Sequence, residues 1–109
     1  MSEEEFDKLV EDRCEKIKQT LINKGREYRR NNNPLWNFEQ GARMFNRHTT
    51  DILDGFMAKH WISYRDILDD IREGRCINED VLEEKLGDIL VYLVLQEACI
   101  KDKYLAPNF

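Results

Sequence analysis

From Ile89 to Leu95 every position is apolar or aromatic, so no face of this stretch prefers water. Such a run predicts a helix enclosed by other elements, and it is read as the central helix of the fold. Elsewhere apolar residues recur every three or four positions. Phe6, Leu9, Val10, Cys14, Ile17, Leu21 and Tyr28 predict one long helix over about residues 3–30, opened by a capping box at Ser2-Glu3-Glu4-Glu5. Gly25 is a weak point in it where a bend is expected. Asn31-Asn32-Asn33-Pro34 predicts a turn, with Asn33 capping and Pro34 opening a short helix over 34–45 that carries Leu35, Trp36, Phe38, Ala42 and Phe45. Ile52, Leu53, Phe56, Met57, Trp61, Tyr64, Ile67, Leu68 and Ile71 form one broad stripe and predict a third helix over 51–72, with Thr50 as its cap. Glu73-Gly74-Arg75 closes that helix. Asn78 caps the last one, over 79–103, whose final turn holds Lys101 and Lys103 at the negative end of the dipole. No strand alternation or internal repeat occurs. The expected architecture is all-α, a single domain over 1–109 built as a compact, oligomeric bundle of three long helices and one short one.

Polar residues on the apolar faces are the candidates for chemistry. Glu84, Asp88 and Tyr92 stack on one face of the last helix, and like charges at that spacing cost about 0.2–0.5 kcal/mol even when exposed. A lysine, an arginine or a metal is expected beside them. At about 100° per residue Lys24 projects from the same side as Phe6, Ile17 and Tyr28. On the third helix His60 lies in the middle of the apolar face, with Lys59, Ser63, Asp66 and Asp70 along one edge. Lys59, His60 and Ser63 offer a cation, a tunable donor and a hydroxyl, a set suited to phosphate or to a base edge. The plainer alternatives stay open: a snorkelling Lys24, a satisfied core histidine and a solvated polar stripe.

Composition narrows the partners. A net charge of −5, with 36% of the 109 residues charged, argues against a general nucleic-acid binder. Arg13, Lys16, Lys18, Lys24, Arg26, Arg29, Arg30, Arg43 and Arg47 nevertheless make the first half basic, which suits a small phosphorylated ligand. Cys14, Cys76 and Cys99 show no CxxC or Cys/His spacing, and Cys14 and Cys99 are read as small core residues. No charged-then-apolar leader opens the chain, and no run approaches the roughly 20 apolar residues of a membrane span, so a cytoplasmic protein with no membrane partner is expected. Phe6, Trp36, Phe45, Phe56, Trp61 and the run from Ile89 exceed what four helices of this length can hide. A homo-oligomer is predicted.

Two resemblances bear on function. Glu11-Asp12-Arg13-Cys14-Glu15 resembles the EExxE of MazG-like all-α nucleotide pyrophosphohydrolases, which hold magnesium through that motif and an ExxD on the next helix. Here Glu11 and Glu15 fall on the side away from Phe6, Cys14 and Ile17, and Glu84 and Asp88 are four residues apart rather than three. Magnesium would tolerate a site of Glu27, Glu84 and Asp88 instead, because it needs only a few carboxylates plus waters and substrate oxygens.

The second resemblance spans most of the chain. Lys24-Gly25-Arg26-Glu27-Tyr28, Leu35-Trp36-Asn37-Phe38, Gly55-Phe56-Met57-Ala58-Lys59-His60-Trp61-Ile62-Ser63 and Glu84-Lys85-Leu86-Gly87-Asp88-Ile89-Leu90-Val91-Tyr92-Leu93 follow in order. They look like the KxxEY, LxNF, GxxxKHxxS and EKxxDxxxYL motifs of small all-helical phage and prophage proteins, loosely related to MazG-like and nucleotide-modification-associated helical domains. The resemblance implies a phage or prophage origin, the cytoplasm of a bacterial host, and the handling of nucleotides; it assigns no catalytic residue. The expected function is binding of a phosphorylated nucleotide, such as a host immune signal held by sequestration, without a cofactor. Lys24, Tyr28, Trp36, Asn37, Lys59, His60, Ser63 and Tyr92 are the expected ligand set. Two alternatives accompany it: a magnesium-dependent pyrophosphohydrolase with Glu27, Glu84 and Asp88 on the metal, and a non-enzymatic helical interaction protein. In the purely structural reading, Lys24 or Lys59 pairs internally with Glu84 and Asp88 to set helix register.

Overall fold

The computed structural model describes residues 1–107, and the side chains of all of these except Lys24, Glu27 and Tyr28. The first half begins as a helical rod: α1 (Glu3–Lys18), a π-helical turn (Gln19–Lys24) and α2 (Gly25–Tyr28) follow without a break. Ser2 caps it, its Oγ accepting from Glu5 N at 3.0 Å, with Glu3, Glu4 and Glu5 against the positive end of the dipole. Arg29 Nη2 donates to Leu21 O within the π turn at 2.7 Å. The turn also resets the register. A uniform 100° per residue holds only as far as Lys18, and the expected placement of Lys24 beside Phe6 and Ile17 falls on a side chain outside those described.

A tight turn over 29–35 reverses the chain. Asn31 and Asn32 take left-handed φ of 54° and 57°, and Asn33 organises the exit: its Oδ1 accepts from Leu35 N while its amide donates to Glu39. Asn33 therefore closes the turn rather than capping the helix, and α3 (Trp36–Phe45) starts two residues later than the Asn-Pro signal predicts. Its end uses Asn46 at φ 52°, with Arg47 N donating to Ala42 O. The third long helix, α4 (Thr49–Arg72), begins two residues earlier than expected. Asp51 Oδ2 accepts from His48 N, so His48 and not Thr50 stands at the cap. Gly74, at φ 79°, ends α4 in a Schellman turn in which Arg75 N donates to Asp70 O. Asn78 Oδ1 accepts from Val81 N and opens α5 (Glu79–Lys103).

All the regular structure described is helical, with packing between helices. The main contact is an antiparallel α4–α5 hairpin: His60 meets Asp88, Phe56 meets Tyr92, and Gln96 Nε2 donates to Thr50 O. The rod lies along α5, and α3 packs on α4. Leu35, Leu53 and Cys99 form the buried centre, with Phe38, Tyr92 and Leu95 around it. Cys99 is thus a core residue, and burial, above all, pushes its thiol pKa up, making it inert. Cys14 is not. It is exposed: α1 reaches the bundle through Arg13, Lys16 and Ile17 and buries none of its residues. No described helix is long and apolar enough to cross a membrane.

One ion pair fastens the end of α5 to α3. Lys103 Nζ lies 3.2 Å from Glu39 Oε1 and 3.3 Å from Asp102 Oδ2. The hydrogen bond to Glu39 is the main reason the Lys103 pKa is raised above its ordinary 10.5. A raised folded-state pKa contributes stability that is complete below the unfolded value and is lost as pH rises through the folded one. Melts at about pH 9 to 12 should therefore show the wild type keeping its full advantage over Lys103→Met up to about pH 10.5 and losing it as pH climbs further.

Candidate functional site

Helix α5 is the axis of every candidate site, and its side chains sort by direction. Toward α4, Asp88 Oδ2 sits 3.4 Å from His60 Nδ1. The His60 ring stacks on Tyr92 at 5.2 Å, Phe56 stacks on Tyr92 at 6.2 Å, and Phe38 meets both edge-on at 5.8 and 6.4 Å. Burial first, and the Asp88 carboxylate second, push the Tyr92 phenol pKa up, so Tyr92 is a neutral donor at physiological pH. His60, Asp88 and Tyr92 thus belong to one cluster. Lys59 is exposed on the adjoining edge, and Ser63 Oγ donates back to Lys59 O at 3.1 Å.

Toward α1, a cleft of about 370 Å³ is lined by Arg13, Lys16, Glu83, Glu84, Gly87 and Asp88, among others. Two cations reach this cleft from α1, and both contact Glu83 rather than the stacked Glu84 and Asp88. Lys16 Nζ is 2.6 Å from Glu83 Oε2, and Arg13 Nη2 donates to Glu83 O at 3.3 Å. Gly87 makes this approach possible, since a Cβ there would stand 2.8 Å from Arg13 Nη1. Gly87→Ala should displace the flexible guanidinium without harming the fold. Alanine gains about 0.8–1.0 kcal/mol of helix propensity over glycine, so the expected result is an unchanged or higher Tm, with a shifted Arg13 Nε resonance by NMR.

Glu84 and Asp88 line the same cleft, whereas the side chain of Glu27, the third expected magnesium ligand, lies outside those described. Among the described residues no group of three His, Cys, Asp or Glu is arranged to hold a metal.

A second cleft, of about 340 Å³, opens between α2, α3 and the later turns of α5. Arg29, Asn33, Trp36 and Asn37 stand around it, over a floor of Leu21, Val94, Leu95 and Ala98. Trp36 is half-buried and Asn37 exposed, so a flat ring and an amide border the same space. The expected ligand set therefore divides. Trp36 and Asn37 share this cleft; His60 and Tyr92 lie beyond Phe38, which contributes to the cleft wall and to the aromatic cluster alike. Lys24 and Tyr28 belong to the same stretch of chain as the cleft's α2 wall, but their side chains are outside those described. Sequence pattern placed Arg13 and Arg29 only in a basic first half and Asn33 only at a cap, and assigned none of them to a site. Arg29 follows the KxxEY-like stretch directly, and the left-handed asparagines before Asn33 mark a shaped turn, a signal that was present but not tied to a pocket.

No protein-family model, curated protein or solved structure matches this chain.

Proposed function

We propose that the protein binds a phosphorylated nucleotide in the cleft between α2, α3 and α5. The observation that carries this reading is the composition of that cleft: the Trp36 ring, the Asn37 amide and the Arg29 guanidinium border one largely apolar space of about 340 Å³. Small-molecule sites have this character, an apolar enclosure of roughly 300–1,000 Å³ with a few convergent polar groups. Trp36 stacks a base, Asn37 reads its edge, and Arg29 meets phosphate. The π turn supports the reading too, since such turns concentrate at functional sites, and this one sets the wall that carries Leu21 and leads to Gly25. The four motifs extend the proposal to sequestration, in which a phage-type protein holds a host nucleotide signal without altering it.

A second reading has its own observation. Glu84 and Asp88 line the other cleft together with Arg13 and Lys16. Carboxylates for magnesium beside cations for phosphate are the parts a pyrophosphohydrolase needs, with a metal-activated water as nucleophile.

A thermal-shift screen against mononucleotides, nucleoside triphosphates and cyclic di- and trinucleotides, with and without magnesium, tests both readings. Saturation at a hundredfold excess over Kd stabilises the folded state by about 2.7 kcal/mol. A ligand recovered intact by mass spectrometry supports holding; recovery as monophosphate and pyrophosphate supports hydrolysis. No shift with any nucleotide overturns both.

A further inference from the structure

The cleft between α2, α3 and α5 carries few polar side chains, and they differ in what they can still bond. Asn33 is committed to its turn: Oδ1 accepts from Leu35 N at 3.0 Å, and Nδ2 donates to both oxygens of Glu39 at 3.2 and 3.1 Å. Arg29 donates to Leu21 O and has only donors to offer. The Trp36 indole likewise carries a single donor. Asn37 differs from all three. It is exposed in the first turn of α3, lines the cleft beside Trp36, and its amide has no hydrogen-bond partner among the described residues. Such an amide sets a free donor next to a free acceptor.

The turn that presents it is anchored on both sides. Leu35, one residue before Trp36, is buried in the core, and Phe38, one residue after Asn37, packs edge-on against Phe56 and Tyr92 at 5.8 and 6.4 Å. A site that discriminates between similar ligands needs such rigid support.

The bases differ in the pattern they would offer to a donor beside an acceptor. A purine covers more of an indole than a pyrimidine does and stacks more strongly on it. Adenine presents one donor beside one acceptor on both of its edges, because its N6 amino group lies between N1 and N7. Guanine presents two acceptors, O6 and N7, on one edge, and on the other a second amino group that a single amide leaves unpaired.

We propose that this cleft selects adenine and that Asn37 sets the choice; the proposal rests on the reading of the cleft as a nucleotide site. Asn37 Oδ1 accepts from the adenine amino group and Nδ2 donates to the ring nitrogen beside it, the bidentate pairing that asparagine makes with this base. Trp36 takes the face of the base and Arg29 the phosphate.

Isothermal titration of the full chain with the mono- and triphosphates of adenosine, guanosine, cytidine and uridine tests it. The wild type should bind adenine nucleotides about 5- to 150-fold more tightly than guanine ones, the discrimination of one bidentate contact. Asn37→Asp exchanges the amide donor for a second acceptor. It should shift the balance toward guanine by about tenfold or more, since guanine N1–H and its N2 amino group are adjacent donors. A new charge weakens every phosphorylated ligand, so the guanine-to-adenine ratio is the readout, and equal losses overturn the proposal. The position is exposed and lies in the first turn of a helix, where aspartate is favoured, so the variant should keep the wild-type Tm. A wild type that binds none of these nucleotides, is indifferent to the base, or prefers guanine or a pyrimidine also overturns the choice of adenine. The nucleotide reading itself falls only if the wider screen, cyclic nucleotides included, is blank.

Discussion

Leu53→Ala should cost about 2–5 kcal/mol of unfolding free energy, the range for emptying a fully buried leucine site. Leu53 has no exposed surface and stands with Leu35 and Cys99 at the centre of the core, enclosed by Phe38, Tyr92 and Leu95. Those neighbours come from α3, α5 and the turn before α3, so the cavity would loosen several contacts at once. Only six hydrophobic side chains are buried among the described residues, which leaves little else to hold the fold. A domain of this length has about 5–15 kcal/mol in total, so the loss is a large share of it. Urea unfolding of the variant beside Phe45→Ala measures the effect; the control, at an exposed position, should stay within about 0.5 kcal/mol of wild type. A Leu53→Ala cost below about 1 kcal/mol would place the centre of the core elsewhere.

Trp36→Ala should weaken binding of the nucleotide found in the screen by about 5- to 150-fold, the equivalent of about 1–3 kcal/mol for loss of one base–aromatic stack. Trp36→Phe keeps a ring in place and should retain most of the affinity. Because Trp36 is half-buried, the unliganded melting temperature of each variant must be measured alongside. If the alanine and phenylalanine variants lose affinity equally and in proportion to stability, the ring only supports the fold. If both bind as the wild type does, the nucleotide stacks elsewhere and the Trp36 cleft is not its site.

Much of this architecture follows from short-range chemistry. Ser2 and Asn78 cap helices where the sequence puts them, because a cap needs only a side-chain oxygen two or three residues from a free N–H. The bounds of α3 and α4 moved by two residues for the same kind of reason. At Asn33 and at His48 two local hydrogen-bonding choices compete, and the neighbouring carboxylates Glu39 and Asp51 decide between them. The pairing of His60, Asp88 and Tyr92 was half legible. Each lies on an inward face by periodicity, but which helix supplies the partner depends on how the hairpin closes.

The sequence by itself determined an all-helical chain, three long helices and a short one, and the group types available to a ligand. These depend on spacings within one or two turns, which 3.6-residue periodicity converts directly into faces. The enclosure expected of α5 is incomplete, since only Ile89 and Cys99 of it are buried and Leu93 and Val94 stay exposed. Only the tertiary structure decided that Lys16 and Arg13 meet the carboxylate and the backbone carbonyl of Glu83, that a π turn over Gln19–Lys24 interrupts the first helix, that Cys14 stays outside the core, and that Trp36 and Asn37 share a cleft from which His60 and Tyr92 are separated by Phe38. Those outcomes join residues as far as 70 positions apart in the chain. They depend on which faces meet when the helices pack, and a helix's own periodicity shows which face is apolar without showing what will cover it.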